Sequence, residues 1–501
     1  MTHGAGEVST AHAATTSWSA LQAGETLIDG THALNVPGQR GRDAGVDEVE
    51  QVGRDALAAY AGAFGAETTT FPTVVAMEND VVGWVADLLH APPEAVGTVT
   101  ADLAEAVMLA VLAARDSRPE VISPSIVVPE TVHPEFHQAA HHLGVRTMVV
   151  PVGEDQRPDP VAMVRAMDAT TVLVVVSAPS HAHGVVDPVA AIAEGARVRR
   201  VRCHVDAGVG GWALPYAESA GRDVPLWDFR VAGVTSVSLD THPHAPEGTA
   251  LLVHRSDRIR HHQFYASARW PGATMLNTTM LSTRSPAPLA GLWAVVTRVS
   301  PQRQRRCADH ALEAMDRVVA GVREIPQLHV AATPDSTLVA IGCDDTMDVF
   351  TLRDELVSRD WSVKPQMSFR GRPPTLHLAV GANSLPVVDR FLLDLEESVA
   401  AAVAAGPVVV DPGVLEVVDS LNPRAMGPAE FDAVLAAAGL PTDPGGAVVL
   451  PERMARVNAV LDRASPVVRE ALLVAFLERL ARPVRAAAPT PVAPAPPGSP
   501  T

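Results

Sequence analysis

The stretch TVLVVVSAPSHAHGVVDPVAAIAEGARVRRVRCHVDAGVGGWALPY (171–216) decides the fold. It opens on a run of β-branched residues, crosses a Pro/Gly turn, and enters the helical pattern PVAAIAEGARVRR (188–200). It then returns to an apolar run, VRCHVDA (201–207). Strand, helix and strand in that order make a βαβ unit, and β-branched runs without alternation suit strands buried on both faces. Outward from it the same alternation continues. Strands are predicted at 125–129, 145–152, 234–240 and 248–255, with helices at 104–116, 134–144 and 160–169. The reading is α/β, with a mainly parallel seven-stranded sheet.

Amphipathic helices are expected from about residue 46 and at VVAMENDVVGWVADLL (74–89). A smaller α/β unit follows, with STLVAIGC (336–343), TLRDELVSRDW (351–361), TLHLAVG (375–381) and a last helix near 386–404. The expected organisation is an N-terminal arm and helix (1–75), a large domain (76–300), a small domain (301–405), a helical extension (406–480) and a Pro/Ala tail (481–501).

Composition excludes several functions. A formal net charge of −18 over 501 residues is poor for nucleic acid or an anionic membrane. No apolar run reaches the roughly 20 residues of a membrane span, and no signal peptide is predicted. Cys203, Cys307 and Cys343 are scattered without a CxxC pair, which suits a reducing cytoplasm. Nothing resembles a GxSxG elbow or a Walker loop, and Gly208-Val209-Gly210-Gly211 is weak as a nucleotide signal. His137 and His141 are spaced for one helix face, but no third ligand accompanies them. His142 and the pairs His181/His183, His242/His244 and His261/His262 are equally incomplete, so no metal site is expected. The chain holds one lysine, Lys364. Arginine cannot replace lysine in Schiff-base chemistry, because its guanidinium stays protonated.

Three strings, SAPSHAHGVVDPVAAIAE (177–194), HVDAGVGGWALPY (204–216) and DFRVAGVTSVSLDTH (228–242), resemble the pyridoxal-phosphate (PLP) dependent fold-type I lyases and group II decarboxylases, sphingosine-1-phosphate lyase in particular. The resemblance covers roughly 45–405. It implies a fold-type I large domain, PLP as cofactor, and active sites built at a homodimer interface. By resemblance, Asp206 bonds the cofactor's ring nitrogen and His133 stacks on the ring. His242 precedes the family's Schiff-base lysine. That position holds Pro243, followed by His244, in a loop about two residues shorter than the family's.

The family's phosphate cradle, Thr-Ser-Gly-Gly-Thr-Glu-Ser, matches Thr100-Ala101-Asp102-Leu103-Ala104-Glu105-Ala106. Glycines and hydroxyls are lost and a carboxylate is gained where a dianion would sit. Each lost hydrogen bond to a charged group is worth about 1.5–3 kcal/mol, so two or three losses weaken binding roughly a hundredfold to a millionfold. A third family run survives mainly as Gly272 and Arg284, and the histidine expected before Phe71-Pro72 is missing. Vestigial cofactor contacts are therefore expected at Thr100, Glu105, His133, Asp206, His242 and Arg284, with His242 and His244 as possible catalytic remnants.

The pattern implies a degenerate member, PLP absent or weakly bound. Its expected role is a dimeric scaffold, or a heterodimer partner of an active paralogue. Two alternatives stay open: an active lyase or decarboxylase holding PLP without a covalent bond or completed by another chain, and a small-metabolite sensor.

Overall fold

The computed structural model describes residues 44–62, 72–241, 249–281, 284–437 and 451–481. Residues 29–408 form one compact unit, and the chain from 409 onward belongs to a second.

In the first unit, seven strands make one sheet. They are β1 (Val96–Thr100), β2 (Ser125–Pro129), β3 (Arg146–Val150), β4 (Thr171–Ser177), β5 (Arg202–Asp206), β6 (Val234–Asp240) and β7 (Ala250–His254). Their order is β1-β7-β6-β5-β4-β2-β3. The pairs β2–β3, β2–β4, β4–β5 and β5–β6 are parallel, whereas β7 runs antiparallel to both β6 and β1. All six strands predicted for the large sheet are present. β1 was not predicted, although Val96-Gly97-Thr98-Val99-Thr100 carries the β-branched signal directly after Pro92-Pro93.

Burial follows the pattern. Every residue of β2 and β4 is buried. Val174 and Val176 pack with Ile192 and Ala193 on one face, while Val175 joins Val111 and Phe136 on the other. The helices Leu103–Asp116, Glu135–Leu143 and Val189–Arg199 bring those partners. Such two-sided cover is why these strands read as continuous apolar runs.

A two-stranded ribbon, β8 (Tyr265–Ser267) and β9 (Met275–Asn277), follows the large sheet. The helices Ala287–Arg298 and Pro301–Glu324 then lead to an antiparallel sheet of β10 (Leu328–Val330), β11 (Leu338–Cys343), β12 (Lys364–Gln366) and β13 (Thr375–Ala379), in the order β10-β11-β13-β12. The helices Val349–Val357 and Val388–Ala405 complete it.

This sheet is tied to the loop after β4. Arg157 reaches Asp335 at 2.6 Å, and Asp335 also accepts the Val186 N–H at 2.7 Å. Gly184 adopts φ +72°, and a Cβ there would fall 1.9 Å from the Leu338 carbonyl oxygen. Only glycine permits that approach.

The second unit contains the helices Pro412–Ser420, Pro428–Ala437, Ala455–Arg463 and Pro466–Leu480 around Val418, Phe431, Val434 and Leu472. No helix among the described residues is long and apolar enough to cross a membrane.

Candidate active-site cleft

The carboxyl ends of β4, β5 and β6 lie side by side, with Ser177 opposite Asp206 and Asp206 opposite Ser238. Open α/β sheets bind ligands at such ends, where side chains escape the ladder. A cleft of about 240 Å³ opens here.

Asp206 is its floor. Only 4% exposed, it accepts the Gly208 N–H at 3.1 Å, and Ser238 of the neighbouring strand stands opposite it. Ser238 in turn bonds His204 Nε2 at 3.0 Å, and His204 Nδ1 meets Ser236 at 2.9 Å. His204 is fully buried, and burial lowers its pKa to about 3, so it is a neutral part of the scaffold. Burial pushes Asp206 the other way, up to about 6, against the opposing pull of His133.

His133 stands on one side, at the turn before the helix Glu135–Leu143. Its Nδ1 lies 3.3 Å from Glu135 Oε2, at ion-pair distance but without hydrogen-bond alignment. Burial disfavours its imidazolium, yet Glu135 and Asp206 outweigh that and raise its pKa. His133 meets His181 edge-on at 5.3 Å, and His181 lies over His377 of β13 at 4.7 Å. His377 Nε2–H donates to the His181 carbonyl at 2.9 Å. His181 is held neutral, its pKa lowered to about 3 by burial and by His377, His133 and Lys364.

The opposite rim is the start of the helix Leu103–Asp116. Asp102 is its N-cap and accepts the Glu105 N–H at 2.8 Å. Glu105, buried, reaches back to the Ala101 N–H at 2.8 Å. Its other oxygen accepts from Met280 N–H at 2.9 Å and Leu281 N–H at 3.2 Å. Thr100 Oγ1–H donates to the Asp102 carbonyl at 2.8 Å. Leu103 fills the step between rim and floor, and a Cβ on Gly208 would come within 2.7 Å of its Cδ2. The helix terminus, a natural anion site, thus faces the chain's own carboxylates.

Of the residues expected from sequence, Asp206 and His133 share the cleft, with Asp102 and Leu103 on its rim. Thr100 and Glu105 are spent on the helix start instead. Arg284 donates from Nη1 to the Val99 carbonyl and from Nη2 to both Glu78 carboxylate oxygens at 3.1 Å, away from the cleft lining. His242, Pro243 and His244 lie outside the described residues, as do Ala66-Glu67-Thr68.

Lys364 is exposed on β12, paired opposite His377. It is nearer the cleft than its sequence position suggested, since its charge acts on His181. His141 and His142 contact each other, as do His261 and His262. Among the described residues no group of three or more His, Cys, Asp or Glu side chains is placed to hold a metal ion. Sequence reading missed His377 and Glu135 as parts of the site. Glu135, two residues from His133, could have been found by proximity, whereas His377 had no local signal.

The fold is that of the fold-type I PLP-dependent enzymes. Residues 47–245 match the family described as "Pyridoxal-dependent decarboxylase conserved domain", and residues 412–479 match "Pyridoxal-dependent enzyme, C-terminal putative HTH domain". A sphingosine-1-phosphate lyase of Arabidopsis thaliana is 34% identical over 349 residues, covering 68% of this chain and 63% of the relative. The chain thus spans somewhat under two thirds of that relative's length. The solved sphingosine-1-phosphate lyase of Burkholderia pseudomallei superposes with a TM-score of 0.67 at 29% identity, over 72% of this chain and 84% of that one. A Lactobacillus brevis glutamate decarboxylase reaches the same TM-score at 19% identity, over 81% and 96%, and speaks for the fold alone. The chain belongs to the PLP-dependent lyase and decarboxylase family.

PLP is the cofactor of that family, and the cleft matches it at one end only. The ring end finds a buried carboxylate and an imidazole. The phosphate end does not fit: a dianion there would meet the Asp102 carboxylate, and Leu103 narrows its approach to the floor.

Proposed function

We propose that the chain is a non-catalytic member of the family, retained for assembly. It forms a homodimer or pairs with an active paralogue, one chain then supplying structure and the other the lysine. The observation that supports this reading is the helix start at 102–105, the stretch that matches the family's phosphate cradle, where the Asp102 and Glu105 carboxylates accept the Glu105 and Ala101 N–H groups. The sequence supports it, because Pro243 aligns with the family's lysine and the sole lysine, Lys364, sits on an exposed edge strand. In the segment matching the C-terminal family, nine carboxylates outnumber six arginines, which fits a protein partner better than nucleic acid. A cytoplasmic setting agrees with the free cysteines.

The test is to incubate the purified protein with PLP, desalt, and record the visible spectrum with and without borohydride. The expected result is no retained aldimine band and no adduct on Lys364 by mass spectrometry. A band fixed by borohydride would restore catalysis to consideration. Native mass spectrometry of the protein from its own cells tests assembly, and a monomer alone would defeat it.

The retained cleft favours a second reading, in which the protein senses a small metabolite. A cavity with a buried carboxylate at its floor persists although the phosphate end has been overwritten. Ligand binding without turnover is its signature.

A further inference from the structure

The residues that exclude phosphate also define what the cleft can accept. Four carboxyl groups line it, those of Asp102, Glu135, Asp206 and Asp240. Two imidazoles face them; burial keeps that of His181 neutral, while His133, its pKa raised by Glu135 and Asp206, is the one lining group that can carry positive charge. The lining carboxyl groups therefore outnumber the cation available to them, and the hydrogen bond that Asp206 accepts comes from the neutral Gly208 N–H. A buried carboxylate in such a lining gains most from a further cationic partner. Leu103 and Pro179 add an apolar wall suited to a flat or short carbon frame. The volume of about 240 Å³ falls below the roughly 300–1,000 Å³ of pockets for drug-sized ligands.

We propose that the cleft takes a small cationic nitrogen compound without phosphate, a single protonated ring or a short primary amine, with an N–H directed at Asp206. This rests on the second reading above, that the cleft is a retained binding site. The ligand's positive charge is balanced by Asp206, and its frame lies between His133 and Leu103. A phosphate ester of the same compound is rejected at the Asp102 rim.

The experiment compares pyridoxamine with pyridoxamine 5′-phosphate, which differ only by the phosphate, using calorimetry on the full chain. Pyridoxamine is expected to bind at least tenfold more tightly. Asp206→Asn should lower pyridoxamine affinity at least tenfold. Asp102→Ser keeps a capping hydroxyl and should narrow the gap between the two probes at least fivefold. Equal or tighter binding of the 5′-phosphate overturns the proposal while leaving a binding cleft. Pyridoxamine binding that ignores both substitutions also overturns it, by placing the ligand elsewhere. If neither probe binds at millimolar concentration, the sensor reading falls with it. Because Asp206→Asn removes a buried charge, a thermal melt checks its fold. Should it fail to fold, the Asp102→Ser ratio alone decides.

Discussion

The floor and the rim of the same cleft are built in different ways. On the floor, Asp206 keeps the buried, hydrogen-bonded setting that a ring nitrogen would require, braced by Ser238 and His204. On the rim, Asp102 and Glu105 satisfy backbone donors at the start of the helix Leu103–Asp116. The difference is one of coupling. Asp206 stands at the end of a central strand, where the backbone ladder on both sides fixes its position. The rim needs only some acceptor for its N–H groups, and a carboxylate serves the fold as well as a ligand does.

This contrast can be broken most forcefully at Glu105. Glu105→Ala strands the N–H groups of Ala101, Met280 and Leu281, which are only part-buried, and the expected loss is roughly 3 kcal/mol, at the low end of about 1–3 kcal/mol per unpaired group. The check is a denaturant midpoint; a loss under about 1 kcal/mol would show that the rim is not structurally committed.

Asp206 should behave in the opposite sense. Its folded pKa, about 6, stands above the ordinary 3.8. The native state therefore binds more protons than the unfolded one between these values. This group's contribution to stability is full below about pH 4 and is lost as pH rises through 6. Asp206→Asn should accordingly stabilise the protein above pH 7, by roughly 2–3 kcal/mol at most, with the gain vanishing near pH 4. Melting curves at both pH values measure it. A gain independent of pH would detach the effect from ionisation.

The smallest effect is the most discriminating. Asp102→Ala should cost about 1 kcal/mol as a lost N-cap, whereas Asp102→Ser should be nearly neutral. Equal losses in both variants would mean that the carboxylate charge itself supports the fold, and the rim would need a different account.

Much of this contrast is legible in the sequence. The strand-end Asp206 follows from the HVDA run, and the changed cradle from Thr100 to Ala106 is visible as a string. The other half of Glu105's role was hidden. Met280 and Leu281 lie about 175 residues away along the chain, and no local pattern announces such a bond. Arg284 shows the same limit from the other side. Its identity survives, yet its partners are Val99 and Glu78, which sequence reading had no reason to connect.

By itself the sequence determined six of the seven strands of the large sheet and the helices between them, because their apolar periods are local and strong. It also determined the poverty in lysine, since a count needs no coordinates. The tertiary structure alone decided the antiparallel sense of β7, the meeting of His133, His181 and His377, and the carboxylate character of the cleft. Those depend on contacts between distant segments, where chain closure and packing, rather than neighbouring residues, select the partners.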